Sequence, residues 1–215
     1  MIIFADCDNT ICESRQKISP QMKKFLSKFT TLIVVGGLNR ERLEYQLDGL
    51  KCTILAQSGN DTPFWKNKLT VEEKEEVVKH IKLLGYPTGS KNIEDRGCQI
   101  SYSFVGHNAD IGLKKNFDED RKLRKWFLKQ FPFKSKTLTC TVAGTTCLDY
   151  TKKNGTKGKN ITRWIKENKL KKKDCVYFGD ALFRGGNDES VKGVIETISV
   201  KNPRDFINKL NKYAN

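Results

Sequence analysis

Short, uninterrupted apolar runs alternate along this chain with segments whose apolar residues return every three or four positions. Ile2-Ile3-Phe4-Ala5, Leu32-Ile33-Val34-Val35 and Cys175-Val176-Tyr177-Phe178 are runs of the first kind, the pattern of strands buried on both faces. Between the first two, Gln21 to Phe29 carries Met22, Phe25, Leu26 and Phe29 at helical spacing. After the second, Glu41 to Leu50 repeats the pattern with Leu43, Tyr45, Leu47 and Leu50. Thr53-Ile54-Leu55-Ala56 reads as a further strand, ending in the turn-rich Gln57-Ser58-Gly59-Asn60-Asp61. Strands alternating with helices predict a parallel sheet, so the fold class is α/β.

From about Pro63 to Thr151 the pattern changes. Glu72 to Leu84 places Val77, Val78, Ile81 and Leu84 along one helix face, and Arg121 to Phe131 reads as a second helix. Gln99 to Val105, Lys136 to Val142 and Thr145 to Tyr150 alternate as half-buried strands do. The organisation expected is a core formed by residues 1–62 and 152–215, interrupted by an inserted α+β domain over residues 63–151. The core resumes with a helix from Ile161 to Lys169, the Val176 strand, a last strand around Val194 to Val200 and a helix from Pro203 onward. Ligands of such open sheets bind at the carboxyl ends of the strands, where Asp6, Gly36 and Asp180 fall. An inserted domain over that mouth can close and dry the site.

Candidate chemistry sits at those strand ends. Asp6-Cys7-Asp8-Asn9-Thr10 follows the first run, and alternation gives Asp6 and Asp8 a common face, with the strand loosening at Asn9 so that both lean toward one bound ion. Two such charges need a cation between them; with Mg²⁺ there, Asp6 can attack phosphorus while Asp8 protonates the leaving oxygen and later deprotonates water. The second run ends in Gly36-Gly37-Leu38-Asn39, whose glycines suit a phosphate cradle of backbone N–H groups. The third discharges into Gly179-Asp180, a further acid for the metal, followed by Arg184-Gly185-Gly186-Asn187-Asp188. Asn154 to Ile161 reads as a turn opening a helix, where a lysine can neutralise phosphoryl oxygens.

This ordered set resembles the haloacid dehalogenase superfamily, and within its subfamily IIB the phosphomannomutases and related sugar phosphatases. The likeness is carried by Ser14 to Met22 after the acid pair, by Val34-Val35-Gly36-Gly37, and by Phe178-Gly179-Asp180 through Gly185-Gly186-Asn187-Asp188. The resemblance implies a Rossmann-like core with a cap. It implies Asp6 as nucleophile, Asp8 as general acid and base, and Lys157 as the neutralising lysine. Mg²⁺ is then held by Asp6, the Asp8 carbonyl and Asp180, with Asn187 and Asp188 either supporting the site or ligating directly. Phosphate contacts are expected from Gly36, Gly37 and Asn39. Where the family has glycine after the acid pair this chain has Asn9. Where the mutases carry an arginine after a Pro-Ile-Gly-like turn it has Phe104-Val105-Gly106-His107, and neutral histidine grips phosphate less firmly than a guanidinium.

That departure favours a phosphatase acting on a small phosphorylated metabolite, such as a sugar phosphate, with Arg15, Arg96 and His107 as a modest anion site. The alternative is a phosphomannomutase interconverting hexose 1- and 6-phosphates, which must hold a second phosphate and exclude water from its aspartyl-phosphate. Asp149 and Thr146 border the return to the core and can reach a sugar hydroxyl; His80 and the three tryptophans read as packing residues, and Cys7 should point away from the metal.

Composition narrows the picture further. The chain has 215 residues and 37% hydrophobic content, enough to bury a sizeable core. Its seven cysteines form no Cys-x-x-Cys pair, which fits reduced thiols in a cytoplasm better than disulfides or zinc. No basic-then-apolar leader follows Met1 and no apolar run approaches the ~20 residues of a bilayer span, so a soluble, cytoplasmic protein without membrane contact is expected. A net charge of +15 raises a second alternative, a nucleic-acid-binding protein with a relict site. No recognition helix, stacking motif or zinc motif accompanies the charge, and a solvated lysine face that steers anionic substrate is the reading preferred.

Overall fold

The computed structural model describes residues 1–214. The chain begins with β1 (Ile2–Ala5), α1 (Pro20–Leu26), β2 (Leu32–Val35), α2 (Arg40–Leu47) and β3 (Thr53–Leu55). It continues through α3 (Val71–Leu83), β4 (Ile93–Asp95), β5 (Gln99–Ser103), α4 (Ile111–Asp118), α5 (Lys122–Gln130), β6 (Leu138–Ala143) and β7 (Cys147–Lys152). It ends with α6 (Lys157–Glu167), β8 (Cys175–Gly179), β9 (Glu196–Ser199) and α7 (Pro203–Ala214). Two compact units result, one of Met1–Lys66 with Gly155–Asn215, the other of Asn67–Asn154.

The first unit is a five-stranded parallel sheet in the order β3-β2-β1-β8-β9. Strand alternation sorts its side chains onto two faces. Ile3, Ala5, Val34, Val176 and Phe178 pack with Met22 and Leu26 of α1, Leu43 and Leu47 of α2, and Phe206 and Leu210 of α7. Phe4, Ile33, Val35 and Tyr177 pack on the opposite face with Ile161, Trp164 and Ile165 of α6. Burying each such side chain contributes about 1.5–3 kcal/mol, so the central strand β1, covered on both faces, is the least replaceable part of the sheet. Helix α1 starts where Ser19 accepts the Met22 N–H and Pro20 presets the first turn. Helix α2 stops at Asp48, which adopts a left-handed backbone ahead of Gly49.

The second unit is an antiparallel sheet in the order β4-β5-β7-β6. Its apolar face, Ile100, Tyr102, Leu138, Val142, Leu148 and Tyr150, packs with Val77 and Ile81 of α3 and Phe127 of α5. Thr70 and Glu73 close a reciprocal capping box at the start of α3. Arg124 of α5 is fully buried: its Nε donates to Asp118 Oδ2 at 2.6 Å, and its Nη1 to the carbonyls of Ala143, Gly144 and Cys147. The guanidinium therefore pins the β6–β7 turn to the helices.

Two elements of this unit lie outside the sequence reading. Helix α4 starts from Asp110, whose carboxylate accepts the N–H groups of Gly112 and Leu113, and is too short for a periodic signal. Strand β4 is three residues long and reads polar; pairing with β5 across the Arg96–Gly97 turn makes it a strand. Tyr45, placed on the buried stripe of α2 by spacing, is instead half exposed, and Gln46 is buried in its stead. Among the described residues, no helix is long and apolar enough to cross a membrane.

Candidate active site

Asp6 extends β1 by one residue. Its N–H donates to the Phe178 carbonyl of β8 at 2.9 Å, and alternation puts its carboxylate on the face of Phe4 and Tyr177, the side covered by α6. Lys157 is the first residue of that helix, whose N-terminus Thr156 caps by accepting the Lys159 N–H. The buried ammonium donates to Asp6 Oδ1 at 2.7 Å, to Asp188 Oδ1 at 2.5 Å and to the Tyr177 hydroxyl at 3.0 Å. Tyr177 in turn donates to Asp188 Oδ1 at 2.7 Å, and Asp188 Oδ2 accepts the Ala181 N–H.

Close packing fixes the start of α6. Asn60 Nδ2 donates to the Gly155 carbonyl at 2.8 Å, and Asn160 Nδ2 to the carbonyls of Ser58 and Gly155. A Cβ on Gly158 would lie 1.8 Å from the Ser190 carbonyl oxygen, and one on Gly179 would lie 2.3 Å from Asp188 Oδ2. Neither position admits a side chain without moving backbone or Asp188.

Asp6, Asp180 and Asp188 each offer an oxygen, all within 4.8 Å of one another. Burial pushes the Asp6 carboxyl well above the usual carboxylate range, and the charges of Asp188 and Asp180 push the same way while Lys157 opposes them. Burial alone would lower the Lys157 ammonium; Asp188 and Asp6 outweigh it and hold it above its ordinary value, so it stays charged. Burial, followed by Asp188 and Asp6, also raises the Tyr177 hydroxyl, which therefore remains a donor. One ammonium against three carboxylates leaves a net negative, oxygen-only donor set, the chemistry that suits Mg²⁺. Both oxygens of Asp188 are already engaged by protein donors. Asp6 and Asp180 are thus the residues fitted to ligate, and Asp188 is fitted to hold Lys157.

The Asp8 carboxylate lies elsewhere. After Asp6 the strand geometry ends: the N–H groups of Ile11 and Cys12 both return to the Cys7 carbonyl, and Asn9 takes a left-handed backbone with φ 60°. The expected shared face is lost, and Asp8 Oδ1 accepts the Arg15 N–H and Gln46 Nε2, both at 2.8 Å. Cys7 packs in the cluster with α1, α2 and α7, on the face opposite to Lys157. Gln46 was missed in the sequence, although a signal existed: Leu43, Gln46, Leu47 and Leu50 form one helical stripe in which Gln46 is the polar member. Tyr177 was read only as strand, although it lies two residues before Gly179 and registers with Phe4 on the face of Asp6.

The glycine-ended strand also departs from expectation. Gly36 N–H donates to the Leu55 carbonyl of β3, so it serves the sheet edge, and a Cβ there would lie 2.5 Å from Leu43 Cδ2. A side chain there would force Leu43 of α2 to shift. Asn39 is the cap of α2: its Oδ1 accepts the Arg42 N–H at 3.0 Å. A Cβ on Gly37 would meet nothing within 4 Å.

A family model for haloacid dehalogenase-like hydrolases matches residues 102–189, a span that contains Lys157, Asp180 and Asp188. The phosphomannomutase of Encephalitozoon cuniculi is 26% identical over 240 residues, covering 98% of this chain and 92% of that protein. That of Schizosaccharomyces pombe is 26% identical over 246 residues, covering 100% and 94%. These matches liken the chain to the haloacid dehalogenase superfamily and, over its whole length, to phosphomannomutases. In fold it is similar to a subclass IIB sugar phosphatase of that superfamily, with a TM-score of 0.62 at 18% identity, covering 99% of this chain and 98% of the other. It is also similar to Plasmodium falciparum IMP-nucleotidase bound to IMP, with a TM-score of 0.69 at 15% identity, covering 99% and 68%.

The remaining candidates belong to other neighbourhoods. Asn187 is exposed, unlike its buried neighbour Asp188. Arg15 has a left-handed backbone, which lets its N–H face Asp8. Arg96 and His107 lie in the second unit, with side chains 8% and 4% exposed. Arg96 donates through Nε and Nη2 to Glu94 Oε2, at 2.9 and 2.5 Å. His107 Nε2 meets the Ser101 carbonyl at 3.0 Å, and its Nδ1 lies 3.8 Å from the same Glu94 oxygen. Burial opposes the Arg96 charge, and Asp149 and Glu94 more than restore it.

Proposed function

We propose that this protein is a Mg²⁺-dependent phosphomonoester phosphatase acting on a small phosphorylated metabolite, with a sugar phosphate as the leading substrate class. The observation that carries the reading is the buried Lys157 ammonium bound to Asp6 and Asp188, with Asp180 in the same cluster. Lys157 holds Asp6 Oδ1, which orients Oδ2 as the attacking oxygen. In the first step that oxygen forms a bond to phosphorus as the ester oxygen departs with a proton from Asp8. In the second, Asp8 takes a proton from water, which attacks phosphorus and returns Asp6 as a carboxylate. Mg²⁺ held by Asp6 and Asp180 would supply Lewis-acid charge to the phosphoryl oxygens and balance the acids around it. The Arg15 N–H and Gln46 Nε2 both engage Asp8 Oδ1 at 2.8 Å, so Oδ2 is the oxygen placed to carry the proton.

Hydrolysis is favoured over mutase chemistry by the state of Arg96. A mutase needs an uncompensated cation for a second phosphate, whereas this guanidinium is engaged by Glu94 and faces the field of Asp149. The mutase reading is supported by the sequence likeness to phosphomannomutases. A phosphate-release screen over phosphorylated sugars and nucleotides, with and without Mg²⁺, separates the two. Free phosphate is expected only with the metal, and Asp6→Asn should abolish it while preserving the circular dichroism spectrum. Interconversion of hexose 1- and 6-phosphates on addition of a bisphosphate, without phosphate release, would overturn the hydrolase.

A further inference from the structure

The lysines that the sequence presents as a solvated face come from separate segments that the parallel sheet gathers onto one edge. All five strands of the first unit run the same way, so the segment leading into each ends on the amino edge, opposite to Asp6 and Asp180. Lys28 precedes β2, Lys51 precedes β3, Lys171, Lys172 and Lys173 precede β8, and Lys192 precedes β9. Each of these is exposed, and none has an ion pair among the described residues. Four inter-strand steps of about 4.8 Å spread these charges over roughly 19 Å.

Dipole complementarity accounts for lysines in the last turns of helices, such as Lys166 of α6. It leaves Lys51, Lys171 and Lys192 unaccounted for, since they lie in connections into strands. The acids of this edge are few. Asp48 is already paired with Lys17 and Lys23, Glu167 with Arg163, and Glu196 accepts the Tyr213 hydroxyl, while Asp174 is exposed.

We propose that this amino edge is a docking surface for the phosphate backbone of double-stranded nucleic acid, independent of sequence. A duplex carries one charge per about 1.7 Å of axis, so a length matching the edge carries about eleven phosphates, of which roughly half face it. The choice of a duplex follows from what the edge lacks. Its aromatic rings are engaged, Phe29 against Phe25 and Tyr213 against Phe178, so no stacking platform is offered to single strands. The large apolar side chains exposed there, Met1 and Tyr213 among them, offer too little surface to anchor in a bilayer. The edge lies one strand length, roughly 15 Å, from the carboxyl ends of the strands, so docking leaves the phosphoester site open.

The test is fluorescence anisotropy of the full chain with a short labelled duplex of random sequence, titrated between about 50 and 200 mM KCl. If about five lysines engage phosphates, the log–log slope is about −4.5 and affinity falls about 500-fold over that range. K51Q/K171Q/K172Q/K173Q should lower the slope by about 3 to 4 and weaken binding more than about 30-fold at the lower salt, without changing hydrolysis of a small phosphoester. K125Q/K129Q/K134Q, exposed lysines of the second unit, should leave the slope unchanged. Equal losses in both variants would show a net-charge effect and overturn the assignment. So would tighter binding to phosphatidylserine vesicles than to the duplex, or absence of duplex binding in the unsubstituted chain.

Discussion

Replacing Asp188 tests how the site holds its lysine. The carboxylate takes the Lys157 ammonium and the Tyr177 hydroxyl on one oxygen and the Ala181 N–H on the other, all buried. Asp188→Ala removes the acceptor for three donors that water cannot reach and leaves Lys157 with Asp6 as its one carboxylate partner. Breaking a buried pair from one side costs about 3–5 kcal/mol. For a protein of this size each kcal/mol moves the melting temperature by about 2–4 °C, so a fall of about 6–20 °C is expected. Thermal unfolding followed by circular dichroism in chelator measures it without a bound cation supplementing the charge balance. Lys157→Met should cost a similar amount, since it strands Asp6 and Asp188 together. The double variant should be less destabilised than the sum of the singles by at least about 1 kcal/mol, because neither partner is left facing a vacancy. A fall below about 3 °C for Asp188→Ala, or strict additivity, would refute this account of the network.

Other outcomes follow from individual contacts. His80 is packed so that Phe131 O accepts from Nε2 and Tyr150 OH donates to Nδ1, and burial lowers the imidazole below its ordinary 6.5. The unfolded chain therefore binds a proton near pH 6.5 that the folded chain refuses; stability is full above that pH and declines as pH falls through 6.5 toward the folded value. His80→Gln should flatten that part of the stability–pH curve, and an unchanged curve would exclude His80 as its source. Arg124→Lys keeps the charge but loses the fork that reaches Ala143, Gly144 and Cys147, and should cost about 2–4 kcal/mol, read as faster amide exchange in the β6–β7 turn. Gln46→Leu frees Asp8 from its amide partner and should change kcat about tenfold with little change in KM, a split that a purely structural role would not produce.

Much of the core is legible in the sequence because β1, β2 and β8 are apolar on both faces and give way to acids and glycines at their carboxyl ends. The acids at their ends are legible for the same reason. What eludes sequence reading is fixed by contacts between distant segments. Asp8 was expected beside Asp6, and one left-handed residue at Asn9 turns it toward Gln46 instead. Gly36 suggested an anion cradle, yet its N–H belongs to Leu55 and its missing side chain to Leu43. Arg96 looked like a phosphate ligand, but Glu94, two residues earlier on a three-residue strand, accepts from its Nε and Nη2. A polar residue on a buried stripe, as at Gln46, is the kind of signal that does survive in sequence.

The central strand bears on biosynthesis. β1 needs β2 on one side and β8 on the other, and the latter emerges from the ribosome only after the whole insertion has been translated. At roughly 5–20 residues per second, the nascent chain carries one open ladder edge on an apolar strand for about ten to thirty seconds. Asp188 follows β8 in the chain, so the pairing of Lys157 with both Asp6 and Asp188 is completed only after that strand has been made. A premature stop after the insertion leaves an apolar strand edge exposed, and such truncated products are expected to aggregate.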